Sequence, residues 1–173
     1  LEKKRRKSPA ATPIERAIFA RNFQQARKTL SLSQGDVATY TGLTQGFISE
    51  VERGLSNISL DNMGKLAHLV GVPLHLLLHP NPGKLDYRQQ ESPLADETAC
   101  RQVFGHHFHL ARKSSNLSQE AVCSFTGSIQ AFISEVERGS SNISLDNMAK
   151  LATVVGQPLY QLLNPDFNSN ASR

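Results

Sequence analysis

The chain has 173 residues, of which 39% are hydrophobic, and a formal net charge of +4. Its two cysteines, Cys100 and Cys123, are too few for a disulfide framework, and we expect buried free thiols in a reducing cytosol. No apolar run approaches the roughly 18 to 20 residues of a membrane span and no signal-peptide pattern is present, so we expect a soluble cytoplasmic protein without membrane contacts.

The excess of positive charge lies in residues 1–11. Five basic residues near the start of the chain carry it, namely Lys3, Lys4, Arg5, Arg6 and Lys7. From residue 8 onward, fourteen Lys and Arg residues are balanced by fourteen Asp and Glu residues. We predict a disordered basic arm that attracts phosphate without sequence preference, with an inert tail as the alternative. Because the remainder is formally neutral, a nucleic-acid partner has to be argued from motifs.

An internal duplication organises the rest of the chain. Residues 47–54 are identical to residues 132–139, and at this constant offset of 85 about 39 of the 66 positions from 15 to 80 match those from 100 to 165. The duplication predicts two similar domains in tandem, at residues 12–79 and 93–166. Residues 80–92 are predicted to be a linker because they are rich in Pro, Gly and polar residues, and residues 167–173 a disordered tail.

Capping residues and apolar spacing predict five helices in each copy. In the first copy they span about residues 13–30, 34–40, 45–53, 60–70 and 74–78. Thr12 and Glu15 form a predicted capping box at the first helix, and Ser33, Thr44 and Ser59 cap the next three. The chain is therefore predicted to be all-α.

Glycines mark the predicted turns. Gly42 lies between the second and third helices, where a positive φ is needed, and Gly54 ends the third helix. Val37 and Ala38 should face the core. The leucines of the fifth helix should be mostly core, with one exposed leucine per copy available for dimerisation.

A short helix, a tight turn with glycine and a second helix form a helix-turn-helix. The surrounding pattern comprises Leu32-Ser33-Gln34, Val37-Ala38, Gly42-Leu43-Thr44-Gln45, Ile48-Ser49, Glu52-Arg53-Gly54, Leu60, Leu66-Ala67 and Gly71-Val72. It resembles the Cro and phage-repressor type of helix-turn-helix, the XRE family of regulators. The resemblance implies two tandem five-helix lambda-repressor-like domains. It also implies a sequence-specific transcriptional regulator, with a repressor favoured, that binds double-stranded DNA at a bacterial or phage nucleoid.

In such domains the third helix lies in the major groove. Carried over by position, the resemblance places these first-copy residues at DNA: Gln34, Thr44, Gln45, Gly46, Ser49, Glu50, Arg53, Asn57 and Ser59. In the second copy the same argument gives Gln119, Ile129, Gln130, Ala131, Ser134, Glu135, Arg138, Asn142 and Ser144.

Individual roles follow from side-chain chemistry and from the resemblance. Gln45 can bond adenine with both groups of its amide, and Gln34 is expected to bond a phosphate and to buttress Gln45. Glu50 could contact a cytosine, face solvent or pair with Arg53. Asn57 and Ser59 should hold phosphates, although a plain helix cap explains Ser59 equally well.

Two pairs of opposite charges resemble a structural ion pair of the family that links the first helix to the third. They are Arg27 with Glu52 and Arg112 with Glu137. We expect them to lock the recognition helix rather than to contact DNA.

The second copy departs from the pattern at Ile129, which cannot accept the free amides at a helix start as Thr44 can. Either Ser128 caps a slightly shifted helix or this helix end is weakened. Ile129 could contact a thymine methyl, and the base preference of the second copy should differ from that of the first. The alternative function is a protein-interaction module, an antitoxin or adaptor, in which the second copy binds a protein.

No grouping of nucleophile, base and orienting group is present, and we expect neither an enzyme nor a cofactor. The histidines His106, His107 and His109 cannot all share one helix face, so they predict no metal site. The sequence leaves open whether the two copies form an intramolecular pseudo-dimer or whole chains form a homodimer.

Overall fold

A computed structural model describes residues 13–83 and 97–167 of the chain. The basic arm, Thr12, the larger part of the linker and residues 168–173 lie outside the described residues. Within the described ranges the secondary structure is helical. The first copy contains α1 (Ile14–Thr29), α2 (Gln34–Thr41), α3 (Gln45–Glu52), α4 (Leu60–Leu69) and α5 (Leu74–Leu77). The second contains α6 (Glu97–Ser114), α7 (Gln119–Thr126), α8 (Gln130–Glu137), α9 (Leu145–Val154) and α10 (Leu159–Leu162).

Helix boundaries agree with the predicted capping residues to within one or two positions. Ser33 Oγ accepts from the amide of Asp36 (3.0 Å), and the Asp36 carboxylate accepts from the amide of Ser33 (2.7 Å). Gly42 adopts a φ of 71° at the turn before α3, a conformation that glycine takes without steric cost. One boundary was wrong, because Pro13 is the N-cap of α1 rather than its first residue.

The buried apolar residues of both copies form one continuous cluster. Phe19 and Phe23 stack in α1, and Phe104 and Phe108 stack at the equivalent positions of α6. Aromatic residues four positions apart lie on the same face of a helix, so both phenylalanines of each long helix pack into the core. The two copies therefore pack directly against each other.

Of three small residues predicted to be buried, Cys100 is buried, whereas Cys123 and Ala38 are not fully buried. Cys100 is buried and free, and burial together with the nearby Asp61 charge raises its pKa to about 11. This thiol therefore stays protonated at neutral pH. Cys123 is free but only half-buried, and so is Ala38 at the equivalent position of α2. The short helices α2 and α7 fully bury one residue each, Val37 and Val122, because each rests on the core along a narrow stripe.

A short antiparallel bridge joins the two copies where Ser59 faces Ser144. The amide of Leu60 donates to the carbonyl oxygen of Ile143 (2.8 Å), and the amide of Leu145 donates to that of Ile58 (2.9 Å). Each of these positions is 85 residues from its counterpart, so the two bonds are the same contact made in both directions. Reciprocity of this kind defines a pseudo-two-fold axis, which passes between Ser59 and Ser144.

Reciprocal ion pairs flank this bridge. Arg16 in α1 bonds both carboxylate oxygens of Asp146 in α9, at 2.8 and 2.5 Å. Arg101 in α6 bonds both oxygens of Asp61 in α4, with Nε to Oδ1 at 2.6 Å. Both are bidentate pairs, the geometry that most favours arginine with carboxylate.

The short helices α5 and α10 also pack against each other across the axis. The imidazole of His79 lies edge-on against the Tyr160 ring, with 4.4 Å between centroids. The α5 leucines Leu74, Leu77 and Leu78 are buried. The leucine expected to be exposed for dimerisation is thus absent from these three positions.

Candidate nucleic-acid interface

Helix α3 presents one face to solvent and fastens the other to the core. Thr44, Gln45 and Gly46 are exposed at its start, while Ile48 and Val51 are buried beneath it. In α8 the same faces carry exposed Ile129, Gln130 and Ala131 over buried Ile133 and Val136. Ser49 and Ser134 are half-buried, and Glu50 and Glu135 are exposed. Each copy therefore offers a short exposed helix face, with a glutamine near its start, above a buried apolar side.

A buried ion pair connects α1 to the end of α3. Arg27 Nε lies 2.5 Å from Glu52 Oε1, and Arg27 Nη2 lies 3.0 Å from Glu52 Oε2. Arg27 Nη1 also donates to the carbonyl oxygen of Leu32 (2.5 Å), at the loop that leads into α2. One guanidinium thus joins three parts of the helix-turn-helix.

Glutamines complete the coordination of the Glu52 carboxylate. Gln34 donates to Oε2 at 2.8 Å and Gln24 at 3.2 Å. Burial alone would raise the pKa of Glu52, but the hydrogen bonds from Arg27, Gln34 and Gln24 outweigh it and lower the pKa. Glu52 is therefore an ionised hub that fixes α3 in place.

The second copy repeats this hub with one replacement. Arg112 lies 2.5 Å from Glu137, Gln119 donates to the same carboxylate at 2.9 Å, and His109 Nδ1 lies 2.8 Å from it. His109 stands where the first copy has Gln24. Burial opposes ionisation of Glu137, yet the bonds from Arg112, His109 and Gln119 prevail and bring its pKa to about 2.

The hydrogen bond of the Gln34 side chain goes to Glu52, whereas we expected Gln34 to support Gln45. Its amide nitrogen donates to Glu52, as that of Gln119 donates to Glu137. An ionised carboxylate attracts an N–H donor more strongly than a neutral amide does. Gln34 therefore supports α3 from the end opposite to Gln45.

Helices α3 and α8 differ in how they begin. Thr44 Oγ1 accepts from the amide of Phe47 at 3.2 Å, whereas Ile129 makes no side-chain capping bond. The alternative of a shifted helix capped by Ser128 is wrong, because α8 begins at Gln130 and Ile129 occupies the N-cap. Ile129 is 70% exposed.

Four residues that we predict at phosphates take part in the junction of the two copies. Asn57 Oδ1 accepts from the amide of Asp146 (3.1 Å) and Asn142 Oδ1 from the amide of Asp61 (3.2 Å), so each asparagine caps a helix of the other copy. Ser59 and Ser144 form the bridge. Ser59 also caps α4 by accepting from the amide of Asn62 (3.4 Å), whereas Ser144 makes no capping bond.

Arg53 and Arg138, at the ends of α3 and α8, are exposed. Arg53 Nε donates to the carbonyl oxygen of Ser49 at 3.2 Å, which directs the guanidinium along α3 rather than toward Glu50. Beside α8 an open cavity of about 390 Å³ is lined by His106, His109, Gln119, Ser134, Glu137 and Arg138. The cavity thus brings together three of the residues expected at DNA.

The histidines of α6 serve separate contacts. His107 Nδ1 lies 3.1 Å from the carbonyl oxygen of Leu162, and burial lowers the pKa of His107. His109 belongs to the Glu137 hub. In the part of the chain that the structure describes, no group of three or more His, Cys, Asp or Glu residues is arranged to hold a metal. None of the described helices has the length and apolarity to cross a membrane.

Sequence reasoning missed the residues that join the copies, namely Arg16, Asp61, Arg101 and Asp146. A signal for them was present. These charges are kept in both copies at positions that the helix-turn-helix pattern does not use. Surface residues retained in both halves of a duplication are candidates for a contact between the halves.

Comparison with known proteins gives a consistent result. A family model, HTH_3, described as helix-turn-helix, matches residues 23–77 and 109–162, which is more than half of the chain. A hypothetical transcription factor of Neisseria meningitidis serogroup B is 38% identical over 72 residues, covering 42% of this chain and 68% of that protein. The control protein C.BamHI of Bacillus amyloliquefaciens is 38% identical over 58 residues, covering 33% of this chain and 72% of that protein. The crystal structure of the Neisseria factor NHTF matches 43% of this chain and 90% of its own, with 37% identity and a TM-score of 0.38.

Proposed function

We propose, from the premise that this chain belongs to the XRE-type helix-turn-helix family, that it is a sequence-specific regulator of transcription that binds double-stranded DNA. It inserts α3 and α8 into the major groove. One observation carries the proposal: each of these helices exposes a glutamine and a glutamate while a buried Arg–Glu pair fixes its other side. A helix that is already held in place in the free protein loses little conformational freedom on binding.

The glutamines at the start of α3 and α8 are the proposed base readers. Gln45 and Gln130 are exposed, and a carboxamide can donate to and accept from one adenine edge. Ser49 and Glu50 lie one turn further along the same helix and complete the face. Arg53 reaches phosphate from the end of α3, as Arg138 does from the end of α8.

The reciprocal junction supports one chain as the DNA-binding unit. A two-fold relation between two recognition helices matches the symmetry of two half-sites in successive major grooves, about 34 Å apart. The chain then binds as an intramolecular pseudo-dimer. Occupation of two grooves excludes other proteins from the same stretch of DNA, which favours repression. The basic residues of segment 1–11 add phosphate contacts that steepen the salt dependence.

Titration of duplex DNA with the purified full-length protein at several salt concentrations tests the proposal. A duplex enriched from a random pool should bind at least a hundredfold more tightly than a scrambled one. Gln45→Ala should remove about tenfold of that preference, since a lost base contact costs about 1–3 kcal/mol. Gln25→Ala, an exposed glutamine on α1, is the matched control and should bind as the wild type does. Equal affinity for both duplexes would refute sequence-specific binding.

The rival function, a protein-interaction module, is favoured by the uncapped start of α8 and by exposed Ile129. Gln130→Ala separates the two. A shortened footprint and weaker binding support a second DNA-binding copy. An unchanged footprint and affinity show that the second copy serves another partner.

A further inference from the structure

The exposed faces of α3 and α8 combine identical and different residues. Gln45, Ser49 and Glu50 recur as Gln130, Ser134 and Glu135 at equivalent positions. The start of the helix differs, because Thr44 and Gly46 are replaced by Ile129 and Ala131. All four of these differing residues are exposed.

We propose, on the basis of the DNA-binding function above, that one chain binds an asymmetric DNA site in a single orientation. The identical residues read bases common to two inverted half-sites. The pair Ile129 and Ala131 reads an apolar feature of one half-site only, the C5-methyl group of a thymine.

The chemistry of Ile129 points to that methyl group. Its side chain has no hydrogen-bonding atom and leaves the free amides of α8 without a side-chain acceptor. The thymine C5-methyl is the apolar group that base edges present in the major groove. Contact between the two removes hydrocarbon from water on both sides.

Thr44, the equivalent residue of α3, favours a polar base atom instead of a methyl group. Its hydroxyl oxygen accepts from the amide of Phe47, which leaves the hydroxyl hydrogen available to a base acceptor. Gly46 has no side chain, and a Cβ there would meet no atom within 4 Å. The α3 face is therefore flatter and more polar than the α8 face, which carries the Ile129 side chain and the Ala131 methyl.

The reciprocal junction converts this difference into orientation. Leu60 with Ile143 and Leu145 with Ile58 hold the two copies in one relation, so α3 and α8 exchange half-sites only when the whole chain turns around on the DNA, and that reversed orientation mismatches both unequal faces. A homodimer of either copy alone would present two equal faces. The fused chain presents two unequal faces.

Selection from a pool of random duplexes tests the asymmetry directly. The wild-type protein should enrich an inverted repeat that is symmetric at its common bases and asymmetric at one flanking position. It should bind that duplex about tenfold more tightly than a palindrome made from either half-site. A perfectly palindromic enriched sequence would overturn the inference, whereas absence of any enriched sequence would overturn the proposed function itself.

Variants that make the two faces equal provide the second arm. Thr44→Ile with Gly46→Ala gives both copies the α8 face and should shift the preference to the palindrome of the α8 half-site. Ile129→Thr with Ala131→Gly gives both the α3 face and should prefer the other palindrome. The second variant regains a helix cap, so it remains informative if the first folds poorly. Retention of the wild-type preference by this folded variant would overturn the assignment to these residues.

Replacing single thymines of the enriched duplex by deoxyuridine removes only the methyl group. One thymine in the α8 half-site should lose about fourfold in affinity, and that loss should disappear with Ile129→Ala. Equal small losses in both half-sites would contradict the role of Ile129.

Discussion

The carboxylate hubs Glu52 and Glu137 show how single residues fix the helices α3 and α8. Each accepts from an arginine of the long helix and a glutamine at the start of the next short helix. Since the carboxylate is buried, it is stable as an anion only while these donors surround it. Loss of the arginine would leave a buried carboxylate without a counter-charge.

The pKa of Glu137 predicts acid sensitivity. Its value of about 2 in the folded protein lies below its ordinary value of 4.5. Stabilisation by the hub is therefore complete above about pH 4.5 and declines as the pH falls toward 2. We expect Glu137→Gln to lose about 2 kcal/mol of stability at pH 7 and to flatten the dependence on pH between 2 and 4.5.

Urea unfolding followed by circular dichroism at several pH values measures this effect. Glu135→Gln, which changes an exposed carboxylate on the same helix, is the control and should keep the wild-type slope. Equal slopes for the two variants would show that the hub does not govern acid stability.

Gln157 is a local defect of the second copy. Its oxygen Oε1 is buried without a hydrogen-bond partner among the described residues, and the first copy has buried Val72 at this position. We expect Gln157→Val to stabilise the protein by about 1 kcal/mol, because it removes an unsatisfied polar atom. The reciprocal Val72→Gln should destabilise it by about 1–3 kcal/mol in the same urea titrations. A stabilising Val72→Gln would contradict this reason.

Sequence reasoning was strongest for residues whose role is local or repeated. Ser33 and Thr44 cap their helices as predicted, because a cap depends on the next three residues. The hydrogen-bond partner of Gln34 was harder to predict, since the next helix, α3, offers Gln45 at its start and Glu52 at its end. The contact of Asn57 with the other copy was not predicted, since its partner, Asp146, is 89 positions away.

At the scale of helices, α3 and α8 have nearly the same sequence, but only α3 begins with a capping side chain. The backbone at Thr44 has φ −80° and ψ 147°, and that at Ile129 has φ −94° and ψ 152°. Both are extended conformations suited to a capping side chain. The difference in capping therefore arises from the side chain and not from the path of the backbone.

Exchange of these caps should change stability in opposite directions. We expect Ile129→Thr to raise the free energy of unfolding by about 1 kcal/mol and Thr44→Ile to lower it by about the same amount. Chemical denaturation of both variants checks the values, with Thr44→Ser as a control that keeps the capping oxygen. A loss of stability with Ile129→Thr would mean that packing of the isoleucine outweighs the missing cap.

At the scale of the whole molecule, the junction makes the two copies one unit. The core cluster is continuous, and the Arg16–Asp146 and Arg101–Asp61 pairs tie the long helix of each copy to the other copy. The sequence predicted the number and order of helices within each copy. It did not predict this packing, because ion pairs and hydrogen bonds between charged and polar side chains leave no apolar periodicity to detect.

A single chain should therefore saturate one DNA site. We expect one chain of 19.0 kDa per enriched duplex in sedimentation velocity, and a binding curve without cooperativity in chain concentration. Arg16→Ala with Arg101→Ala removes both ion pairs and should weaken binding of the two-half-site duplex while sparing a single half-site. The control is Lys28→Ala, an exposed charge on α1 whose bond is to Gln24 within the same helix. Two chains per duplex would instead indicate a homodimer of whole chains.

The pseudo-two-fold junction also changes how this protein can vary. In a homodimer one codon specifies both members of every symmetric pair, so each substitution appears twice in the assembly. Here Thr44 and Ile129 have separate codons, as do Ala20 and Gly105, where a Cβ on Gly105 would lie 2.2 Å from the carbonyl oxygen of Val136. Each half can thus acquire substitutions that the other half does not share, and a change of DNA preference can proceed through one half-site at a time.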